Sequence, residues 1–237
     1  MAAQAGAFGV DRVSTGVKGL DKLFGGYPKG SSVLISGNAG TGKTIMALHF
    51  INATCSAGKK AVYVAVEERR SDLIAQAAQF GWDFDAFEAK GLLKVVSVLE
   101  SRMGDAKYQY DSYGSESGFS GQIENIEMDA EMVVIDNLGI LALGMDAGRF
   151  RQQLDYLVYA LGYRGCTTLV VCDETTMIRF GEVANYAVDG AIRLMKRDNP
   201  YTDSRERVME ILKMRHTKHT IDYILFDIGE KGIVIEE

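Results

Sequence analysis

The chain has 237 residues, 47% apolar and 24% charged, the size and balance of one large globular domain, which excludes disorder along its whole length. No apolar run approaches the ~20 residues of a membrane span, and no basic start leads into an apolar stretch and a cleavage site, so no membrane association and a cytoplasmic location are expected. The net charge of −6 argues against nonspecific nucleic-acid binding, but it is unevenly spread: residues 193–219 hold eight Lys/Arg against four Asp/Glu, leaving −10 on the rest.

Residues 1–12 are small and weakly patterned and predict a flexible tail ahead of one domain over 13–237. Residues 31–36 (SSVLIS) predict a strand ending at Gly37. Over 43–56, Ile45, Leu48 and Ile51 mark a helix, with Gly58 beyond its end. Residues 61–66 (AVYVAV) form a short apolar run of the kind found in buried parallel strands. Ser71 is the expected N-cap of a helix that buries Leu73, Ile74, Ala77 and Ala78 and stops at Gly81.

A strand is expected over 92–98. The segment 104–121 carries four glycines, four serines and three tyrosines, the composition of a mobile surface loop. Residues 132–135 (MVVI) predict a strand closed by Asp136. Phe150, Leu154, Leu157, Val158 and Leu161 fall on one helical face. Residues 167–172 (TTLVVC) read as another buried strand. Beyond it, 191–195, 207–214 and 221–226 read as successive strands without helices, and 232–235 as a last one. Strand and helix alternate first, and strands follow one another later. The predicted fold class is therefore α/β: a mainly parallel sheet flanked by helices, with C-terminal antiparallel strands. Cys55, Cys166 and Cys172 lack metal-binding spacing and sit in apolar settings, as buried reduced thiols do.

One motif carries chemistry. Gly37-Asn38-Ala39-Gly40-Thr41-Gly42-Lys43-Thr44 matches the phosphate-binding loop G-x-x-x-x-G-K-[ST]. Its glycines let the backbone curl until N–H groups point at phosphate oxygens, and the following helix adds its positive end. Lys43 supplies a charge for the β and γ phosphates of ATP, and Thr44 a hydroxyl for Mg²⁺. A strand precedes the motif and a helix follows it, as this chemistry requires. Asp136, at the end of MVVID, fits the second carboxylate that orients Mg²⁺; the alternative is a turn cap. Glu67 and Glu68 end AVYVAV, where strand C-termini line a ligand crevice. Adjacent carboxylates repel, which raises one pKa and suits a base that polarises the attacking water; the alternative is a solvated acidic turn. Asp173 and Glu174 end the next strand and read as phosphate sensors or as a turn. His49, inside the helix after the motif, reads as a packed residue rather than a ligand.

From Ser14 to the C-terminus the chain resembles the single-domain, KaiC-like branch of the RecA superfamily of P-loop ATPases. Thr15-Gly16-Val17-Lys18-Gly19-Leu20-Asp21 is similar to that family's opening motif, and Gly25-Gly26-Tyr27-Pro28-Lys29-Gly30 to its G-G-x-P-x-G turn. Glu67-Glu68 resembles its paired catalytic glutamates, and Phe80-Gly81-Trp82-Asp83 also matches. Glu210-Ile211-Leu212-Lys213-Met214-Arg215 resembles the segment whose Lys and Arg reach the γ-phosphate of an adjacent subunit.

The resemblance implies a homo-oligomeric ring, usually a hexamer, with ATP between subunits. It implies that Lys213 and Arg215 act in trans, and that Thr217, His219 and Glu230 lie near the neighbour's ribose or base. The charge division then has a reason: a basic face on one subunit meets the acidic catalytic end of the next. Read from the residues alone, Lys213 and Arg215 are a solvated strand face. The chain departs from the family between the 104–121 segment and Met132, where little room is left for the usual helix. The functional expectation is a slow ATPase whose nucleotide state switches binding of an unidentified protein partner. The competing expectations are a DNA-acting recombinase-like ATPase and a noncatalytic ATP-dependent scaffold. Whether any Ser or Thr is phosphorylated stays open.

Overall fold

The computed structural model describes residues 9–98, 126, 129–199, 201–202 and 204–235. The loop expected over 104–121 and the short crossover that follows it fall almost wholly outside these residues. Of the tail expected over 1–12, residues 1–8 also lie outside, and Arg12 already stands in a strand.

The elements in chain order are β1 (Arg12–Val13), α1 (Lys18–Phe24), β2 (Tyr27–Pro28), β3 (Ser32–Gly37), α2 (Lys43–Ser56), β4 (Ala61–Ala65), α3 (Arg70–Gln79), α4 (Phe84–Ala89) and β5 (Leu93–Ser97). They continue with β6 (Met132–Asp136), α5 (Leu138–Leu141), α6 (Ala147–Tyr163), β7 (Thr167–Asp173), α7 (Glu174–Ala187), β8 (Gly190–Asp198), β9 (Arg205–Met214), β10 (Ile224–Gly229) and β11 (Gly232–Ile235). Among the described residues, nine strands form one sheet in the order β11-β10-β9-β8-β3-β7-β6-β4-β5. The six from β8 to β5 pair in parallel, and β9, β10 and β11 add antiparallel strands at the other side.

The apolar runs in the sequence follow from this layering. Alternate residues of β3 enter different cores: Val33 and Ile35 pack with α2, and Leu34 with α6 and α7. A strand covered on both faces has no polar side to show, which is why VLI, AVYVA and MVVI do not alternate. Helix α6 presents Phe150, Leu154, Leu157 and Leu161 to the second core, all fully buried. Helix α2 is enclosed more completely, by the sheet and by contacts from β11, and buries Met46 through Ile51 without a break. Its three-residue apolar stripe was only part of its buried surface. Cys55, Cys166 and Cys172 are buried and free, and burial pushes the Cys55 and Cys172 thiols up to about 12. Among the described residues no helix is long and apolar enough to cross a membrane.

Two expectations need correction, and one helix was not foreseen. Ser71 is not an N-cap: α3 starts at Arg70, and its cap position, Arg69, makes no side-chain cap bond. The start is set by tertiary pairing instead, since the Arg70 guanidinium binds Asp85 at 3.0 Å and also Glu88. The strands expected after β7 do follow one another without helices among the described residues, but α7, unassigned from sequence, stands between β7 and β8. Its pattern is blurred by the exposed Ile178 and by Thr175, Thr176 and Gly181, all weak helix formers. The cap is nonetheless clear in the structure: Asp173 accepts from Thr176 N at 2.8 Å. The strand expected over 221–226 begins only at Ile224, because Thr220 and Asp222 close a local turn with bonds of 2.9 and 3.0 Å.

His49 packs, as expected, but it also ties three segments together. Nδ1 lies 3.1 Å from Gly16 O, and Ile233 N donates to Nε2 at 2.7 Å. An Nε2 that accepts leaves Nδ1 as the protonated donor, so the ring is neutral. Burial holds its pKa down at about 4, despite the opposing bond to Gly16. The unfolded chain therefore binds the proton first as pH falls from 6.5 towards 4, and stability drops across that window by up to about 3 kcal/mol. His49→Gln keeps one acceptor and one donor but cannot titrate. Melting temperatures measured from pH 7.5 to 4 should fall less steeply for this variant; parallel curves would refute the assignment.

Candidate active site

The site begins where β3 leaves the sheet. The loop from Asn38 to Gly42 turns back on itself, with Gly40 and Gly42 at φ of 70° and 104°, and α2 starts at Lys43. Thr41 Oγ1 donates to Asn38 O at 2.8 Å and stiffens the curl. Lys43 Nζ folds over it, donating to Gly37 O at 2.9 Å and Asn38 O at 3.0 Å. Burial lowers the Lys43 pKa, against the carboxylates of Asp136, Asp173 and Glu174 that favour its charge. The ammonium is thus held over the loop by the loop's own carbonyl oxygens, with α2 supplying the positive end of a 14-residue helix.

Asp136 ends β6, opposite Ala65 of β4. Its Oδ2 accepts from Thr44 Oγ1 and from Tyr63 OH, both at 2.8 Å. Burial raises its pKa, outweighing those two donors and Lys43. A hydroxyl and a carboxylate held together are the oxygen donors that a small hard cation such as Mg²⁺ prefers, so the residues present fit that ion. Tyr63 was not singled out in the sequence. Its signal was a phenol inside the otherwise apolar run AVYVAV, where a buried hydroxyl requires a partner.

Glu67 and Glu68 follow β4 at the rim of a cleft of about 620 Å³, which Lys43, Thr44, Tyr63 and Asp136 also line. Ser97 Oγ donates to Glu68 O at 2.9 Å and anchors the backbone there. The Glu68 pKa is raised, first by burial and then by Asp136, Asp72 and Glu67. Asn137, also missed in the sequence, donates from Nδ2 to Glu67 Oε2 at 3.3 Å. Asp173 and Glu174 are both engaged: Asp173 caps α7, and Glu174 pairs with Arg193 at 2.5 Å.

The residues expected to act in trans lie elsewhere. Lys213 Nζ donates to Val188 O, and Arg215 binds Asp189 through its backbone N at 3.0 Å and its guanidinium at 3.2 Å. In register, Lys213 pairs with Ala191 and Ala191 with Leu34, three residues before Gly37. Asp189 N bonds Ser32 O, five residues before Gly37. The fingers therefore stand roughly 10–16 Å down the strands from their own phosphate loop. Thr217 lies with them, accepting from Arg12 at 3.0 Å, and His219 Nδ1 is 2.8 Å from Thr220 O in the same connection. Glu230 is not brought together with these two. It follows β10, whose Ile228 packs beside Gly42, and so stands on the phosphate-loop side of its own chain.

A phosphate loop between the first parallel strand and its helix, a strand-end aspartate on the loop threonine and paired glutamates together define a RecA-like P-loop ATPase. The family model described as "ATPase: KaiC" matches residues 13–237, and the chain belongs to this family. It is 33% identical over 235 residues to the UPF0273 protein PH0284 of Pyrococcus horikoshii, covering 94% of this chain and 93% of that one. It is 30% identical over 238 residues to the circadian clock oscillator protein KaiC of Prochlorococcus marinus, covering 95% of this chain but 46% of that one. A crystal structure of the KaiC-like protein PH0186 from Pyrococcus horikoshii has a TM-score of 0.80 at 30% identity, covering 96% of this chain and 100% of that chain. Membership supports an ATP-binding regulatory ATPase.

The raised Glu68 pKa has a stability consequence. A carboxyl that ionises later in the folded state contributes stability that is full below pH 4.5 and is lost as pH rises through the folded value. Glu68→Gln should therefore melt higher than the parent at pH 7.5, with the gap closing towards pH 4. A variant that melts lower at neutral pH would contradict this.

Proposed function

We propose that the protein hydrolyses ATP slowly in a homo-oligomeric ring, hexameric by its resemblance, with each active site shared between two subunits. The N–H groups of residues 38–44 and the Lys43 ammonium hold the β and γ phosphates. Thr44 and Asp136 would hold Mg²⁺, which when bound would neutralise charge on the β and γ phosphates. Glu67 and Glu68 orient the attacking water and take its proton as the γ-phosphoryl leaves ADP. Lys213 and Arg215 of the neighbouring subunit stabilise charge on the transferring phosphoryl group. Thr217 and His219 of the same neighbour would face the nucleotide's ribose or base.

The observation that carries this reading is the separation of the fingers from the cleft of their own chain. Among the described residues that line the cleft, Lys43 is the sole cation. Three features of the fingers favour a neighbour's site as their target: their distance from their own loop, the opposed charges of the two regions, and their likeness to the family's trans segment. Change of nucleotide state would then alter the contact between subunits, and through it the binding of a protein partner.

Glu67→Gln with Glu68→Gln should lower phosphate release roughly a hundredfold or more while ATP binding survives. Unchanged release would leave a noncatalytic scaffold as the better reading. Lys213→Ala/Arg215→Ala subunits should be equally inactive alone. Mixed with the double-glutamine subunits, they should recover part of the activity, because some interfaces then combine intact glutamates with intact fingers. No recovery in rings shown by native mass to be mixed would argue for sites within single chains.

A further inference from the structure

We propose that Asn137 is a positioning residue of the hydrolytic site, fixing the Glu67 carboxylate against the tip of β7 so that it meets the attacking water in one orientation. The proposal rests on the base role given to the glutamates above.

A glutamate beyond the end of a strand has three side-chain torsions and nothing intrinsic to fix them. A base that must be ordered at the moment of reaction loses rate to that disorder. Asn137 removes much of this freedom through a fully used amide. Its Oδ1 accepts from Gly139 N at 2.9 Å, which sets the amide plane. Its Nδ2 then donates to Asp173 Oδ2 at 3.2 Å and to Glu67 Oε2 at 3.3 Å. One acceptor and two donors are all matched. The reversed amide would set its oxygen against two carboxylates and its NH₂ against an N–H, so chemistry fixes the orientation.

The anchor behind Asn137 is rigid. Asp173 accepts from Thr176 N at 2.8 Å through Oδ1 and from Thr176 Oγ1 at 2.9 Å through Oδ2. Burial pushes its carboxyl up, but the Thr176 and Asn137 bonds outweigh that and hold it below the usual range. Gly139 closes the cluster from the other side. A Cβ there would overlap Asp173 Oδ2 and Thr176 Oγ1 and lie 3.2 Å from Asn137 Oδ1, so a side chain would displace the bridge. Glu67 is thus held through one carboxylate oxygen by a group that cannot itself shift, and its other oxygen is left for the water. An asparagine suits this position because only a donor is tolerated between two carboxylates.

The test uses the full chain with ATP and Mg²⁺. Asn137→Asp keeps an acceptor for Gly139 N, so the helix cap survives, but it removes both donors and adds a third carboxylate. We expect kcat to fall roughly ten- to a hundredfold. KM for ATP, affinity for a nonhydrolysable ATP analogue and native mass should hold, while the melting temperature falls because a third carboxylate joins two. In the Glu67→Gln background the same change should cost little more, because the residue acts through Glu67. Should Asn137→Asp fail to fold, Asn137→Ala carries the same expectation. A wild-type kcat, a loss confined to KM, or a full additional loss in the Glu67→Gln background would overturn the proposal. Glu67→Gln at the parental rate would instead overturn the base role of Glu67, and the positioning role with it. A slow Glu67→Gln beside a fast Asn137→Asp would leave the base role standing and refute only the bridge.

Discussion

The Asp136 carboxylate is the point on which the site is built. It sits half-buried at the end of β6 and takes hydrogen bonds from Thr44 on α2 and Tyr63 on β4. Three separate elements are thereby held at fixed distance at the C-terminal edge of the parallel strands. A charge in such a place is costly unless it is well partnered, so the packing around it tolerates little change. The phosphate loop and the two glutamates inherit their placement from this arrangement, because one leaves β3 and the others leave β4 beside it. The crevice lies where open α/β sheets bind ligands.

Polarity along the sheet gives the second constraint. The six parallel strands all point their C-terminal ends at the cleft, but β9 runs back against β8 and delivers Lys213 and Arg215 to the opposite end. Held at that end of the sheet, these two side chains cannot reach their own phosphates. They can be offered to another copy. The split between an acidic body and a basic C-terminal block is a feature of sequence. The antiparallel pairing divides that block: Arg193 and Lys196 stay beside the phosphate loop, and Lys213 and Arg215 go to the far edge.

Much of the fold was legible because its signals are local. Continuous apolar runs marked β3, β4, β6 and β7, and a seven-residue apolar repeat marked α6. The phosphate loop announced itself through glycine spacing and a following lysine and threonine. Helix α7 was missed because exposed Ile178 and weak helix formers hide its buried face, while its cap depends on Asp173 at the end of a strand. Ser71 looked like a cap because its residue type is right. Pairing of Arg70 with Asp85 and Glu88 decided where the helix starts.

The sequence by itself determined the chemistry available: a loop that binds phosphate, carboxylates at strand ends, a basic strand. Those follow from residue type and near-neighbour spacing. Only tertiary structure decided which groups meet. Tyr63 and Thr44 share one carboxylate, and Asn137 lies between Glu67 and Asp173, across residues 70 and 36 positions apart. His49 joins Gly16 to Ile233 across the whole length of the chain. No local pattern encodes such contacts, because they arise from the order and direction of strands, which the chain fixes only when it buries both faces of the sheet.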